Sequence, residues 1–357
     1  MAIVNSTGKT GTYAQPTDKQ PSSPSKLKNS AFGKLAFSFI FIGLIGSIFF
    51  LFVSSSEEKN QDVNYQTLLN RNYKVYALNI PEELDFAGEK VPIQRFDVRE
   101  SFDRELLVNT YWQSNMLLFI KNSNKWFPVI EPILKKNGVP NDFKYLALIE
   151  SGLRNAVSPA GASGFWQFLK GAGKEYGLEI NSEVDERYHL EKATEAACKY
   201  LKTAYEKFGH DWALAAASYN MGMSGLETQI KRQKGENYYD LVLSEETSRY
   251  VYRILAAKEI LSKPKKYGFH FRKKDLYYNV KTYEVEVDSA ITDMAVFAKH
   301  FNINYKLLKY FNPWLRENKL TNKTGKTYKI KIPKENFPLM EETIYNSDNL
   351  MNDSLIR

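Results

Sequence analysis

Cysteine is nearly absent: Cys198 is the only one in 357 residues, so no intramolecular disulfide can form. With none beside the N-terminal apolar run, a lipoprotein anchor is not expected there. Histidine is equally sparse. His189, His210, His270 and His300 have no metal-ligand spacing, so neither a metal nor a cofactor is expected. Charge of one sign is missing from the middle of the chain. The net +8 comes from the ends, with five lysines against one aspartate in residues 1–34 and 15 basic against 11 acidic residues in 270–357. Residues 35–269 carry 29 of each. Nucleic-acid binding needs a basic face with interleaved aromatics on the folded core, so no nucleic acid is expected as a partner. Strand patterns are also scarce over residues 96–269, which reads as helical throughout.

Within that stretch Glu150 stands out. It ends an almost wholly apolar segment that starts at Phe143, and Ser151 and Gly152 follow it at once. Asn141 is placed to cap a helix over 142–151, and Gly152 to stop it in the left-handed conformation. Phe143, Leu146, Ala147 and Glu150 then fall at i, i+3, i+4 and i+7, so the acid shares a face with buried side chains. Burial and the negative end of the helix dipole both penalise its anion and should raise its pKa. A carboxyl kept protonated near neutral pH can serve as a general acid. For a lone glutamate, a frayed surface position is the commoner explanation.

Three further clusters change that balance. Ser158 to Gly164 is a turn-rich stretch of small residues leading into Phe165, Trp166, Gln167 and Phe168. A buried-looking helix over 212–219 runs into Tyr219, Asn220 and Gly222, and Glu246, Thr247, Tyr250 and Val251 open another helix. In order and spacing these clusters resemble the four motifs of the soluble lytic transglycosylases, a goose-type lysozyme-like family, most closely the membrane-bound type D members. Glu150-Ser151 matches the catalytic Glu-Ser; Gly164 to Gln167 matches the Gly-Leu-Trp/Met-Gln segment; Tyr219-Asn220 sits in Tyr-Asn-x-Gly, and Tyr250 in Glu-Thr-x-x-Tyr-Val. Phe165, Ser218 and Lys170 depart from the family's usual Leu, Ala and Pro, all at flanking positions. The resemblance covers about residues 97–269.

The resemblance implies cleavage of the peptidoglycan bond between N-acetylmuramic acid and N-acetylglucosamine, leaving a 1,6-anhydro end. Glu150 would be acid and then base. Asn220 and Tyr250 would hold the substrate acetamido group and the acid in register, with Ser151, Ser158, Gln167 and Tyr219 as further substrate contacts. Trp166 is the expected exposed ring for sugar stacking. Independently, ordinary glycosidases use two carboxyl groups. The stretch after Glu150 has no Asp or Glu before Glu175, which favours substrate assistance without excluding a distant partner. Two alternatives stay open: a muramidase that hydrolyses the same bond with water, and a non-catalytic peptidoglycan-binding protein.

Residues 35–53 are uncharged and apolar, long enough for one bilayer span. Some 34 residues precede this run and no convincing Ala-x-Ala follows, which favours an uncleaved anchor over a signal peptide. Lys26, Lys28 and Lys34 before it, and Glu57 and Glu58 after it, put the N-terminus in the cytoplasm and the rest in the periplasm or on the exported face. The expected organisation is therefore a disordered tail (1–34), a transmembrane helix (35–53), a spacer (54–95), a lysozyme-like all-helical catalytic domain (96–269), a small α+β module (278–334) and a tail (335–357). Helices are expected over 100–122, 126–137, 142–151, 191–208, 212–219 and 245–262. In the module, a strand over 281–287, helices over 291–300 and 305–311 and a strand over 327–332 give a βααβ order that resembles a LysM carbohydrate-binding module. Asn312-Pro313 and the closing Ile-x-Ile-Pro support the likeness, while Asp288, Ser289 and Ala290 replace the usual Gly-Asp-Thr. The resemblance implies a glycan groove lined by 288–292 and 313–320, on a module joined by a short linker. A domain that only packs on the catalytic unit is the plainer alternative.

Overall fold

The structure, a computed structural model, describes residues 75–334 and, before them, Thr67. The expected tails 1–34 and 335–357, the span 35–53 and the rest of the spacer up to residue 74 lie outside the described residues. Among the described residues no helix is long and apolar enough to cross a membrane.

A two-residue hairpin comes first, β1 (Asp85–Phe86) against β2 (Glu89–Lys90). Ala87 and Gly88 both take positive φ in its turn, the backbone that matches strand twist in a tight hairpin. This part of the expected spacer belongs to the core: Phe86, Val91 and Ile93 are fully buried. Eight helices follow: α1 (Phe96–Tyr111), α2 (Gln113–Lys136), α3 (Phe143–Ser151), α4 (Lys170–Glu175), α5 (Leu190–Lys207), α6 (Trp212–Met221), α7 (Met223–Gln233) and α8 (Glu245–Ser262). Helix α3 is apolar all round, and everything from Tyr145 to Ile149 is buried, as expected of a helix enclosed by others. Helices α2 and α8 flank it, and α8 also packs on α1 and α6.

The helix boundaries differ from expectation around Trp112, where the chain breaks at φ −84°, ψ 59° with neither Pro nor Gly to mark it. No break occurs near residue 124. Helix α2 runs through Pro128 and Pro132, although each proline removes an N–H donor and costs about 3 kcal/mol in a helix interior. Burial of Met116, Phe119, Ile120, Phe127, Ile130 and Leu134 on one side offsets that cost. The cap of α3 differs too. Asp142, not Asn141, is the N-cap residue, and no side chain caps the helix. The Asp142 carboxylate instead accepts from the Ala87 N–H and from Lys258 Nζ, both at 2.7 Å, and so pins the hairpin and α8 to the start of α3. Glu89 accepts from the N–H groups of Trp212 and Ala213 at the start of α6, beside the Asp211 cap.

The C-terminal module has the expected order: β3 (Thr282–Val287), α9 (Met294–His300), α10 (Tyr305–Phe311) and β4 (Tyr328–Pro333). The strands pair antiparallel from Thr282↔Pro333 to Val287↔Tyr328. Asn312 is wholly buried and fully bonded, donating to the carbonyls of Leu308 and Lys331 and accepting from the Lys331 N–H. The module is not a loosely joined body. Val184 and Tyr188 of the helical region share one apolar cluster with its Ile291, Trp314, Leu315 and Ile330. Backbone bonds seal the seam, Asp185 N–H to Trp314 O at 2.9 Å and Arg316 N–H to Glu183 O at 2.7 Å. The expected groove segment 313–320 is thus partly an interface: Trp314 and Leu315 are buried, Leu315 bridges Val184 and Leu320 bridges Ile291.

Removing the module therefore uncovers Val184 and Tyr188, each worth about 1.5–3 kcal/mol when buried. A chain ending at Tyr277 should melt at least about 5 °C below the full chain. Thermal denaturation followed by circular dichroism checks this; equal midpoints would show that the seam contributes nothing to stability.

Candidate active site

Glu150 is the penultimate residue of α3. Beyond it the chain must turn away sharply, and Gly152 and Leu153 both take left-handed backbone, φ 62° and 55°. The turn leaves the Glu150 carboxyl half-buried. Tyr250 reaches it from α8, one hundred residues later, and its phenol donates to Glu150 Oε1. Arg253, one turn further along α8, donates to the Ile149 carbonyl at 3.2 Å.

Burial raises the Glu150 pKa above its ordinary 4.5; the Tyr250 hydrogen bond and the Arg253 charge oppose this, and the Glu246 charge adds to it. Burial and the Glu150 charge together push the Tyr250 phenol far above its normal range, so it stays a proton donor. Tyr219 is shifted the same way, first by burial and then by Glu150. One acid and two phenols therefore interact within one pocket of low polarity, where each hydrogen bond is stronger than in water.

The predicted residues divide into those that frame the acid and those that brace the loop beside it. Asn220, at the end of α6, donates to Glu246 Oε1 at 3.1 Å and accepts from Thr247 Oγ1 at 2.7 Å, which joins α6 to the first turn of α8. Ser151 is buried and turned away from solvent; its hydroxyl bonds the Phe165 and Ala147 carbonyls at 2.8 and 3.2 Å. Tyr219 donates to the Trp166 carbonyl at 2.7 Å. Ser158 Oγ accepts from the Ala162 N–H at 3.0 Å, closing the small-residue turn. Gln167 holds a left-handed backbone, φ 49°, which is uncommon for a side-chain-bearing residue. Its amide donates to the carbonyls of Gly164 and Ala156 at 2.7 and 3.1 Å.

Trp166 is a correction. It is 0% exposed and its indole N–H donates to Thr194 Oγ1 at 2.8 Å, so it offers no ring for sugar stacking. The small-residue turn before it packs against the 183–188 segment. The approach is closest at Gly164, φ 82°, where a Cβ would lie 1.9 Å from the Arg187 carbonyl oxygen.

Arg187 was not foreseen and holds this loop. Its guanidinium donates to the carbonyls of Gly161 and Phe168 at 2.9 and 3.1 Å and is paired with Asp185 at 2.7 Å, both side chains being buried. Its pairing with Asp185 is local, but the loop carbonyls it bonds lie 26 and 19 residues back, so the sequence does not mark its role. Arg253 was missed for the same reason. Glu246 and Thr247 stood inside a recognised motif but had been given no role. Among the described residues no cluster of three or more His, Cys, Asp or Glu could hold a metal ion.

Comparison with known proteins bears directly on this pocket. Residues 127–242 match the Transglycosylase SLT domain family, a span that takes in Glu150, Gln167 and Asn220 and stops short of Tyr250. Residues 283–336 match the soluble lytic transglycosylase C-terminal LysM-like domain. The chain is similar to membrane-bound lytic murein transglycosylase D of Escherichia coli K12, 29% identical over 220 residues, 60% of this chain and 48% of that protein. The protein of the same name from E. coli O6:H1 gives the same figures. The chain thus spans about half the length of the curated relatives it matches. The crystal structure of the 70 kDa soluble lytic transglycosylase from E. coli aligns with a TM-score of 0.33 at 22% identity, over 37% of this chain and 23% of that one.

The environment of Glu150 has a measurable consequence. A carboxyl whose folded pKa is raised stabilises the fold fully below 4.5 and loses that contribution as pH rises through its folded value. Glu150→Gln, which cannot ionise, should therefore match the wild type near pH 4 and become progressively more stable than it as pH rises to neutral. Melting midpoints of both proteins across that range check the sign; a gap that stays constant would mean that Glu150 is not desolvated.

Proposed function

We propose that this chain is a peptidoglycan lytic transglycosylase that cleaves the bond between N-acetylmuramic acid and N-acetylglucosamine and closes a 1,6-anhydro ring. The observation that carries this reading is the single half-buried carboxyl, with its pKa raised by burial and held by the buried phenol of Tyr250, within the span that matches the SLT domain family. Glu150 protonates the glycosidic oxygen as the C1–O bond breaks. The muramoyl acetamido carbonyl supports the positive charge at C1, as in substrate-assisted glycosidases. Glu150, now a carboxylate, then takes the proton from the C6 hydroxyl of the same sugar while that oxygen bonds C1, which restores the acid.

Each neighbour has a part in this cycle. Tyr250 donates to Glu150 and so stabilises the anion that forms after proton transfer. Asn220, whose amide is held by Thr247 and Glu246 where α6 meets α8, is the residue we assign to the acetamido group. Gln167 and Ser158 line the approach of the sugars, and Ser151 and Tyr219 keep the loop that carries them in place. The apolar run 35–53 anchors the enzyme by one span with its N-terminus in the cytoplasm, so the pocket faces the wall from the periplasmic or exported side. A hydrolytic muramidase is the second reading, and Glu246, close enough for its charge to act on Glu150, is what favours it.

Mass spectrometry of muropeptides released from sacculi separates the two. The full chain should yield mainly 1,6-anhydro-N-acetylmuramic acid ends, and Glu150→Gln should lower release by about 10²–10⁴-fold, the usual size of general acid catalysis. Mainly reducing muramoyl ends would establish the muramidase reading instead.

Tyr250→Phe removes a hydrogen bond that favours the carboxylate, so the Glu150 pKa should rise further. Turnover should fall, and its alkaline limb should move to higher pH than in the wild type. A pH–rate profile of both enzymes decides; an alkaline limb that stays put or moves down would remove Tyr250 from contact with the acid.

A further inference from the structure

A cleft of about 760 Å³ lies along the seam between the helical core and the LysM-like module. Its core-side wall is Trp126 with Leu153, Arg154 and Asn155, the residues that follow Glu150, and its module-side wall includes Tyr310 and Trp314. The link to the active site is direct. Arg154 Nε donates to the Ser151 carbonyl at 3.4 Å, and Asn122 on the same wall donates to the Gly152 carbonyl at 2.9 Å. Two rings on the cleft are unusually open for their size, Tyr310 at 54% exposure and Tyr277 at 38%.

The charge on the cleft is one-sided. Lys125, Arg154, Lys309 and Lys331 line it, against one carboxylate, Glu191, which is already paired with Lys331. Lys125 donates to the Tyr310 phenol, with its ammonium 4.8 Å over the Trp126 ring and 5.0 Å over the Tyr310 ring. Lys309 donates to the carbonyls of Leu315 and Glu317. Among the described residues Lys125, Arg154 and Lys309 are paired with no carboxylate, and Lys125 stands over two rings of the cleft. Such cations bond a carboxylate more strongly than the neutral hydroxyl or acetamido oxygens of a sugar, because both partners are then charged.

We propose that this seam is a second substrate site that takes the acidic stem peptide of a peptidoglycan strand, with the stem carboxylates on Lys125 and Arg154 and the Tyr310 phenol holding Lys125 in place. The site is complete only with the module docked, since each domain supplies one wall. This rests on the wall-cleaving function proposed above and adds to it a preference for strands that keep their stems. Carboxylate binding by exposed cations weakens with salt, so stem recognition should be strongest at low ionic strength.

Binding to the inactive full-length Glu150→Gln chain tests this apart from turnover. The probes are a soluble disaccharide–tetrapeptide and a stem-free N-acetylglucosamine tetramer, titrated by calorimetry at low and high salt. Tyr310→Ala and Lys125→Met, each added to Glu150→Gln, should raise the Kd for the stem-bearing probe roughly tenfold. Both should leave the Kd for the stem-free tetramer unchanged, and high salt should weaken only the first probe. Lys125→Met keeps the length of this half-buried side chain, so it serves if Tyr310→Ala disturbs the seam. Unchanged affinity for the stem-bearing probe, equal losses for both probes, or no binding of the stem-bearing probe would overturn the proposal. The products of the wild-type enzyme report on the catalytic reading independently.

Discussion

The buried pair of Asp185 and Arg187 joins the loop that carries Gln167 to the segment on which the module docks. Arg187 bonds both ends of the loop that carries Gln167, and its own carbonyl sets how closely Gly164 can approach. Asp185 neutralises that guanidinium, and the Asp185 backbone N–H bonds the Trp314 carbonyl of the module. A buried ion pair is poor evidence of net stability, because desolvation offsets most of the attraction. Its effect here is to select one arrangement. With its charge cancelled and its donors engaged, the guanidinium keeps the loop beside Glu150 in a single conformation, and the segment that holds it is the one on which the module docks.

The Glu150 carboxyl is subject to opposing influences. Burial within an apolar helix raises its pKa, while a phenol and a guanidinium from α8 lower it. The same helix supplies the donor and the positive charge that oppose burial at this carboxyl. The hairpin at residues 85–90, though remote from the reaction, contributes through Glu89 and Asp142 by fixing where α3, α6 and α8 begin.

Docking changes what the C-terminal module can do. A module on a free linker raises local concentration without direction. One whose backbone is bonded to the helical core at residues 183–185 is instead held in a fixed direction, and part of the 313–320 segment is committed to that contact.

Much was determined by the sequence alone. Short-range periodicity marks the helix that carries Glu150, its stop at Gly152, the opening of α8 and the βααβ order of the module, because those depend on neighbours within a few residues. The resemblance of spaced motifs also picked out Asn220 and Tyr250. Other features needed the tertiary structure. Whether Trp166 faces sugar or core turns on Thr194, and an apolar ring looks the same in either setting. Helix α2 persists through Pro128 and Pro132 only because other helices cover its apolar side. The N-terminal half of the Asp142 network, the role of Arg187 and the docking of the module all join residues tens to more than a hundred positions apart. Periodicity states which face of an element must be covered; which partner covers it, and so which polar groups are left facing the acid, is decided by packing.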